Sequence, residues 1–425
     1  MSKGQRITAQ IESGLAARYR TEARFRAYGI AALAFAGIML AVLLITIIRP
    51  GIGGFLRHEI ILDIDTAAIA DQLRNDPTAI DYHALTNAAM KATQEDTLTD
   101  KSIRHRFLAL SGTFAALDVK SDLLGQPDQW GRKITVSVPL ADNADQFLKG
   151  HIDRTLPEIQ RPLNDQQIAW IDAWEKQGRI HTSFNRDFFS RGDSRAPEAA
   201  GFLGAIVGSL ISLFVCMAVA LPVAIAAAIT LEEFAKKTWL ANALEVIINN
   251  LAAVPSIIYG LLGLSIYLQW FGMPRSSPLV GGLTLAMLIM PVMIIAARAA
   301  IRAVPPSMRL AATGLGATKL QVVRDHVLPY ALPGILTGTI LSICRALGES
   351  APLLMIGMVA FVADIPRGLT DPSTVMPVEI YLWAQSPELG FIEKTSSAIL
   401  VLLAILLLLN WGAIKLRNKS QLIWN

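Results

Sequence analysis

The sequence predicts an all-α polytopic membrane protein of six spans with a soluble α+β domain inserted after the first. Three observations predict it. Hydrophobic residues make up 53% of the 425 residues and charged ones only 17%, too little charge for a soluble chain of this length. The apolar residues gather into runs near or above the roughly 20 residues that cross a hydrocarbon core. The basic residues flank those runs on alternate sides, as the positive-inside rule requires.

The first run, Tyr28 to Ile48, follows a polar, basic segment at 1–27 that holds Lys3, Arg6, Arg18, Arg20, Arg24 and Arg26. It is longer than a signal-peptide core, which runs to about 7–15 residues, and it ends in Arg49-Pro50-Gly51. Residues 28–48 therefore read as an uncleaved anchor with a cytoplasmic N-terminus. Residues 50–197 are polar, contain no spanning run, and are numerous enough to bury a core of their own. After an in-to-out anchor they lie outside the cytoplasm. Ile64–Arg74 and Asp165–Gln177 have helical spacing, and Lys133–Leu140 alternates like a half-buried strand.

Residues 198–425 carry the remaining spans, near 201–230, 243–268, 279–298, 334–360 and 396–414. The inner loops hold Lys236 and Lys237, then Arg298, Arg302, Arg309, Lys319 and Arg324, then Lys415, Arg417 and Lys419. The segment at 361–395 is acidic instead, with Asp364, Asp371, Glu379, Glu388 and Glu393. Six spans put both termini on one side. The net charge of +4 reflects this topology, with no continuous basic face for nucleic acid. Cys216 and Cys344 both fall in apolar runs, which excludes a disulfide framework or a cysteine metal site. The five histidines of the insert (His58, His83, His105, His151 and His181) are scattered without metal-ligand spacing. They read as surface residues, and no cofactor is expected.

Two segments carry candidate chemistry. The first is 299–333, AAIRAVPPSMRLAATGLGATKLQVVRDHVLPYALP. Pro305 and Pro306 suit the start of a short helix over Met308–Leu315. Gly314 and Gly316 permit a tight turn, and a second helix follows from Thr318 to Leu328, ended by Pro329. A helix–turn–helix at the membrane surface can dock a soluble partner, or it can be an ordinary solvated loop. The second segment is ICRALGESAPLLM, 343–355. A charge in hydrocarbon costs on the order of 2.5–3.5 kcal/mol, yet Arg345 and Glu349 both fall within the fifth span. Four residues apart on a helix, they share a face about 6 Å apart in rise. The pair either neutralises itself for insertion or, with Ser350 beside it, faces a substrate path. An arginine fork matches phosphate oxygens, and a nearby carboxylate can accept a hydrogen bond from a protonated phosphate but not from sulfate. In VPSIIYGLLG (254–263), Pro255 reads as a kink, and Gly260 and Gly263 as close-packing positions.

The loop resembles the EAA loop of ABC-importer permeases, with Ala311, Ala312, Gly316, Leu328 and Pro329 at the matching positions. Leu310 stands in place of the usual glutamate, and His326 in place of an aliphatic residue. The segment Arg345-Ala-Leu-Gly-Glu349-Ser350-Ala-Pro-Leu-Leu is similar to that of PstA-type phosphate permeases. So are FFSRGDSRAPEAAG (188–201), EEFAKK (232–237) and MPVEIYLW (376–383). The resemblance covers about 188–425, and the insert resembles the extra N-terminal region of some bacterial members. It implies the type I ABC-importer permease fold and import of inorganic phosphate across a bacterial inner membrane. It also implies a PstC-like sister permease, two ATPase copies docked on 299–333, an extracytoplasmic phosphate-binding protein and surrounding membrane lipid. No G-x-x-x-x-G-K-[ST] phosphate loop is present, so ATP hydrolysis is assigned to the partner. A permease for sulfate or molybdate would keep the loop and lack the Arg345/Glu349 pair. A membrane sensor would need a cytoplasmic output domain, and no cytoplasmic segment is large enough for one.

Overall fold

The computed structural model describes residues 3–94, 100–235, 238–359 and 361–421; the predicted inner-loop Lys236 and Lys237 lie outside them. Two compact units, 1–50 and 51–425, make up the chain. The first is helix α1 (Lys3–Gly53) as far as Pro50, so the basic N-terminal segment is helical as well. The spanning part, Arg18–Gly53, buries none of its apolar core, and Leu33, Phe35, Ile38 and Leu43 are all exposed. A helix apolar all round and unburied is one suited to lipid.

The insert is built on a three-stranded antiparallel sheet, β1 (Leu56–Asp65), β2 (Lys133–Pro139) and β3 (Ile180–Phe184), in the order β2-β1-β3. Register pairs Ile60 with Val138, Leu62 with Val136 and Ile64 with Ile134. These six side chains are at most 1% exposed, because alternation along a strand sends every second residue into the core. Helices α2 (Ala70–Asn75), α3 (Tyr82–Ala92), α4 (Lys101–Leu108), α5 (Ala115–Leu124), α6 (Asp142–Leu148) and α7 (Asp165–Lys176) complete the domain. Phe107, Trp170 and Trp174 fill its centre, Phe107 meeting Trp170 edge-on at 5.0 Å. A capping box between Asn164 and Gln167 starts α7 where the periodicity placed it. The helix expected over Ile64–Arg74 is corrected: Ile64 and Asp65 close β1, and helix begins only after Thr66. The alternation of Ile60, Leu62 and Ile64 outweighs the helical spacing of the residues that follow.

In the C-terminal region α8 (Leu203–Ile229) packs along α11 (Pro278–Arg302), the most buried span. Glycine makes the approach possible: a Cβ on Gly282 would lie 2.6 Å from Val215 Cβ. The span expected over 243–268 is broken. Helices α9 (Trp239–Ala252) and α10 (Ser256–Gly263, extended by a wide turn to Trp270) meet at 102° around Ala253-Val254-Pro255. Pro255 caps the second helix instead of kinking a continuous one. Among the described residues five helices are long and apolar enough to cross a membrane, or six if the bent pair counts as one span. Gly260 packs as expected, its Cβ position 2.7 Å from Pro352 Cα.

The fifth predicted span is displaced as well. Helices α12 (Pro306–Gly314), α13 (Lys319–Val322) and α14 (Leu328–Gly348) follow α11, and the span runs from Lys319 to Gly348. Pro329 does not end the second loop helix. A π turn over Val323–Val327 joins α13 to α14, shifting the register so that the missing proline N–H falls at the widened turn. Beyond Gly348 the chain forms the short helix α15 (Ala351–Met355), then α16 (Met376–Ala384) and the last span within α17 (Leu389–Gln421).

Candidate functional site: an arginine–glutamate pair and a surface helix–turn–helix

Arg345 sits in the last turn of α14, and Glu349 caps that helix in extended conformation (φ −83°, ψ 118°). The pair meets as its spacing of four implies: Glu349 is the C-cap residue, and φ −83° keeps its side chain on the helical path. The helix stops at Gly348, and ψ 118° at Glu349 redirects only the chain that follows. Arg345 Nε lies 3.5 Å from Glu349 Oε1, with side chains 38% and 22% exposed. That separation is long for a charge-assisted hydrogen bond, and no other described carboxylate pairs with Arg345. Ser350, half-buried, begins the turn into α15. The structure thus brings Arg345, Glu349 and Ser350 together at a broken helix end, with the arginine fork largely unspent.

The helix–turn–helix forms as the proline and glycine signals predicted. Pro305 caps α12, and Gly316 takes φ +87°, a left-handed conformation that glycine adopts without strain. Gly314 ends the helix without that requirement. Thr318 caps α13 through a capping box with Gln321. Ala312 is buried against Val322, Val327 and Ile301, and Leu328 packs on the same cluster, whereas Ala311 faces out. Pro329 continues into the span. Leu310, Leu315 and Leu320 are 71%, 91% and 67% exposed, an apolar tip that a solvated loop does not carry by default.

Sequence reasoning missed what holds this loop to the bundle. Glu232 receives Arg298 Nε at 2.6 Å and Arg302 Nε at 2.8 Å, while Glu233 receives Arg309 at 2.7 Å. Arg309 also donates to the carbonyls of Val304 and Ile301. These arginines were counted only as inner-loop charge. The available signal was the Glu-Glu dipeptide at the end of a span, facing three arginines 66–76 residues on.

Two further motifs meet on the insert's side. Trp383 Nε1 donates to Asp193 Oδ1 at 3.0 Å, joining MPVEIYLW to FFSRGDSRAPEAAG. Glu379, one turn before Trp383, is 1% exposed, and burial beside Asp193 pushes its carboxyl well above the usual range.

Comparison with known proteins assigns the region that holds Arg345 and the loop. Residues 220–415 match the family described as binding-protein-dependent transport system inner membrane component. Residues 12–158 match a domain of unknown function, DUF3333. Among similar proteins, the phosphate transport system permease protein PstA of Yersinia pestis is 34% identical over 184 residues, 43% of this chain and 61% of that one. PstA 1 of Mycobacterium tuberculosis is 32% identical over 40% of this chain and 55% of its own. PstC of Pasteurella multocida is 35% identical over 35% and 52%. This chain thus spans between about half and three-fifths of the length of these three relatives. The inward-facing MetNI methionine ABC transporter is similar with a TM-score of 0.40 at 18% identity, over 51% of this chain and 93% of that one.

Proposed function

We propose that this chain is one permease subunit of an ATP-driven importer of inorganic phosphate, with Arg345, Glu349 and Ser350 on the translocation path. The observation that carries the reading is the half-exposed Arg345–Glu349 pair at the broken end of α14. A pair needed only to enter the bilayer is best closed tightly and buried among helices; this one is open and engages by a single long contact. Arg345 attracts the anion, and Glu349 accepts a hydrogen bond from the hydroxyl that phosphate carries and sulfate lacks at neutral pH. The relatives named as phosphate permeases support the substrate.

In this reading the exposed Leu310, Leu315 and Leu320 enter a cleft on the ATPase, two copies of which serve a heterodimer with a PstC-like permease. The ATPase's closure is carried through Ala311, Ala312, Gly316, Leu328 and Pro329 into α14, whose last turn holds Arg345. An extracytoplasmic phosphate-binding protein delivers the anion, residues 50–197 lie on that side, and the chain itself performs no hydrolysis. The test is ATP-dependent uptake of labelled phosphate into vesicles carrying the assembled transporter, with unlabelled sulfate as competitor. Phosphate uptake that sulfate leaves unchanged supports the reading. Transport of sulfate or molybdate in preference overturns it.

A further inference from the structure

The insert carries an apolar patch that neither the transport reading nor its own core uses. Phe184 is 53% exposed, Leu56 39% and Phe189 38%. The patch is contiguous. Leu56 pairs with Phe184 across β1 and β3, Phe184 stacks on Phe189 at 6.0 Å, and Phe189 stacks on Phe55 at 5.8 Å. Arg186, between the two phenylalanines in sequence, is exposed and makes no ion pair among the described residues.

The height of this patch above the bilayer follows from what holds it. Leu56 is three residues past Gly53, the last residue of α1, so at most about 10 Å of extended chain separates them. The Leu56 carbonyl accepts from Lys149 Nζ at 2.8 Å, and the same ammonium contacts Glu393 at 2.8 Å in the first turns of α17. Gly54 packs against Glu393 and Ser397. The unbroken apolar run of α17 begins at Ala398, roughly 7 Å of helix rise beyond Glu393. A headgroup layer is about 5–7 Å deep on each side of the hydrocarbon. Leu56, Phe184 and Phe189 therefore stand at headgroup level. Aromatic side chains with an arginine beside them suit that layer, the rings toward the acyl boundary and the cation toward phosphate.

We infer that Leu56, Phe184 and Phe189 seat the insert on the outer surface of the bilayer, their partner being phospholipid at the headgroup–acyl boundary. The inference goes beyond the transport reading: the seat needs only a membrane, whatever the cargo. It gives the insert a mechanical role, holding β1 and β3 at a fixed height over the start of the last span.

The test uses the assembled transporter in phospholipid vesicles. With Cys216 and Cys344 replaced by alanine, nitroxide labels are placed singly at Phe184→Cys and Phe189→Cys, with Ser121→Cys as water reference and Leu407→Cys as lipid reference. Both references are exposed. Collision rates with oxygen, which partitions into lipid, are compared with those of a water-soluble nickel chelate. The expected result is an oxygen-to-nickel ratio severalfold above that at Ser121 and shifted toward that at Leu407. A ratio equal to that at Ser121 overturns the seat. So does low collision with both reagents, which means that a protein subunit covers the patch. The unmodified chain gives an independent reading: phospholipid with a photoreactive group near the headgroup should crosslink to the peptide containing residues 184–189. Absence of that crosslink, with crosslinks present in α17, overturns the inference even where the cysteine variants misfold.

Discussion

Lys149 Nζ stands 2.8 Å from Glu393 Oε2 and 2.8 Å from Asp145 Oδ2, joining α6 of the insert to the first turns of the last span. Gln146 donates to the same Glu393 oxygen at 2.9 Å, and the buried Lys394 donates to the Ala200 carbonyl. Charges at 5–12% side-chain exposure survive only because each finds a partner. The insert and the N-terminal end of α17 are thus one polar-locked structure, although they lie some 240 residues apart in sequence.

Lys149→Met should leave Glu393 buried without its counter-charge, a loss of about 3–5 kcal/mol. Thermal unfolding in detergent should show it as a lowered midpoint. The double variant Lys149→Met/Glu393→Leu should recover only part of the loss, since Asp145 then keeps His58 alone and the Gln146 amide loses its acceptor. A single variant as stable as the parent would mean that the contact holds nothing together.

Asp142, in the first turn of α6, accepts from the Gly390 N–H at 3.2 Å, and burial pushes its carboxyl up to about 6. Folding raises this pKa, so the folded chain binds more protons than the unfolded one between about pH 4 and 6. Stability contributed by this group is therefore present at low pH and falls as pH rises through that window. Asp142→Asn keeps the acceptor for Gly390 and removes the titration. The variant should match the parent near pH 4 and exceed it above pH 6, by no more than about 2–3 kcal/mol. Parallel stability curves for the two proteins from pH 4 to 7 would contradict the assignment.

The spans were legible in sequence because hydropathy and charge bias report the same physical fact, a bilayer. Where they failed, local backbone chemistry decided. Pro255 broke a span that composition alone made continuous, and the π turn at Val323–Val327 carried a span through Pro329, where proline alone would have ended it. At the candidate site the residue types and the pairing of Arg345 with Glu349 were readable, but the end of the helix beneath them was not. A spacing of four brings the two side chains together, and nothing in it says that the helix stops at Gly348. The insert's lock on α17 was invisible for another reason. Glu393 reads as loop charge beside a span, and nothing local in Asp142–Lys149 names its distant partners.

The proposed topology is tested by cysteine labelling in intact cells. Ser121 and Thr370 are exposed, and cysteines there should react with an impermeant reagent, while one at Thr318, also exposed, should not. Ser373, in the same acidic segment as Thr370, is only 1% exposed and would be silent for steric reasons. Labelling at Thr318 without labelling at Ser121 would reverse the orientation.

Gly316 holds φ +87°, while proline fixes φ near −65°. Gly316→Pro should therefore misplace the Leu310–Leu315–Leu320 tip relative to α13, abolishing ATP-dependent uptake while the subunit remains in the membrane at parental level. Gly316→Ala strains the turn by about 1–2 kcal/mol and should give an intermediate rate. Parental uptake by the proline variant would remove the loop from coupling.

The Arg345–Glu349 pair makes the sharpest claim. Arg345→Lys keeps the charge but loses the planar fork, so phosphate uptake should fall, by about tenfold if one charge-assisted hydrogen bond of roughly 1.5 kcal/mol is lost. Glu349→Gln keeps the shape and leaves Arg345 without a counter-charge. It should lower phosphate uptake and weaken the rejection of sulfate when the delivery protein is bypassed. A pair that serves only to neutralise charge in the bilayer predicts a different pattern. Arg345→Leu/Glu349→Leu would then insert normally and carry phosphate at near-parental rates, because no unpaired charge remains. Direct recognition predicts that the double variant inserts and does not transport. Labelled-phosphate uptake per inserted subunit separates the two, and near-parental transport by the double variant would end the substrate role of both residues.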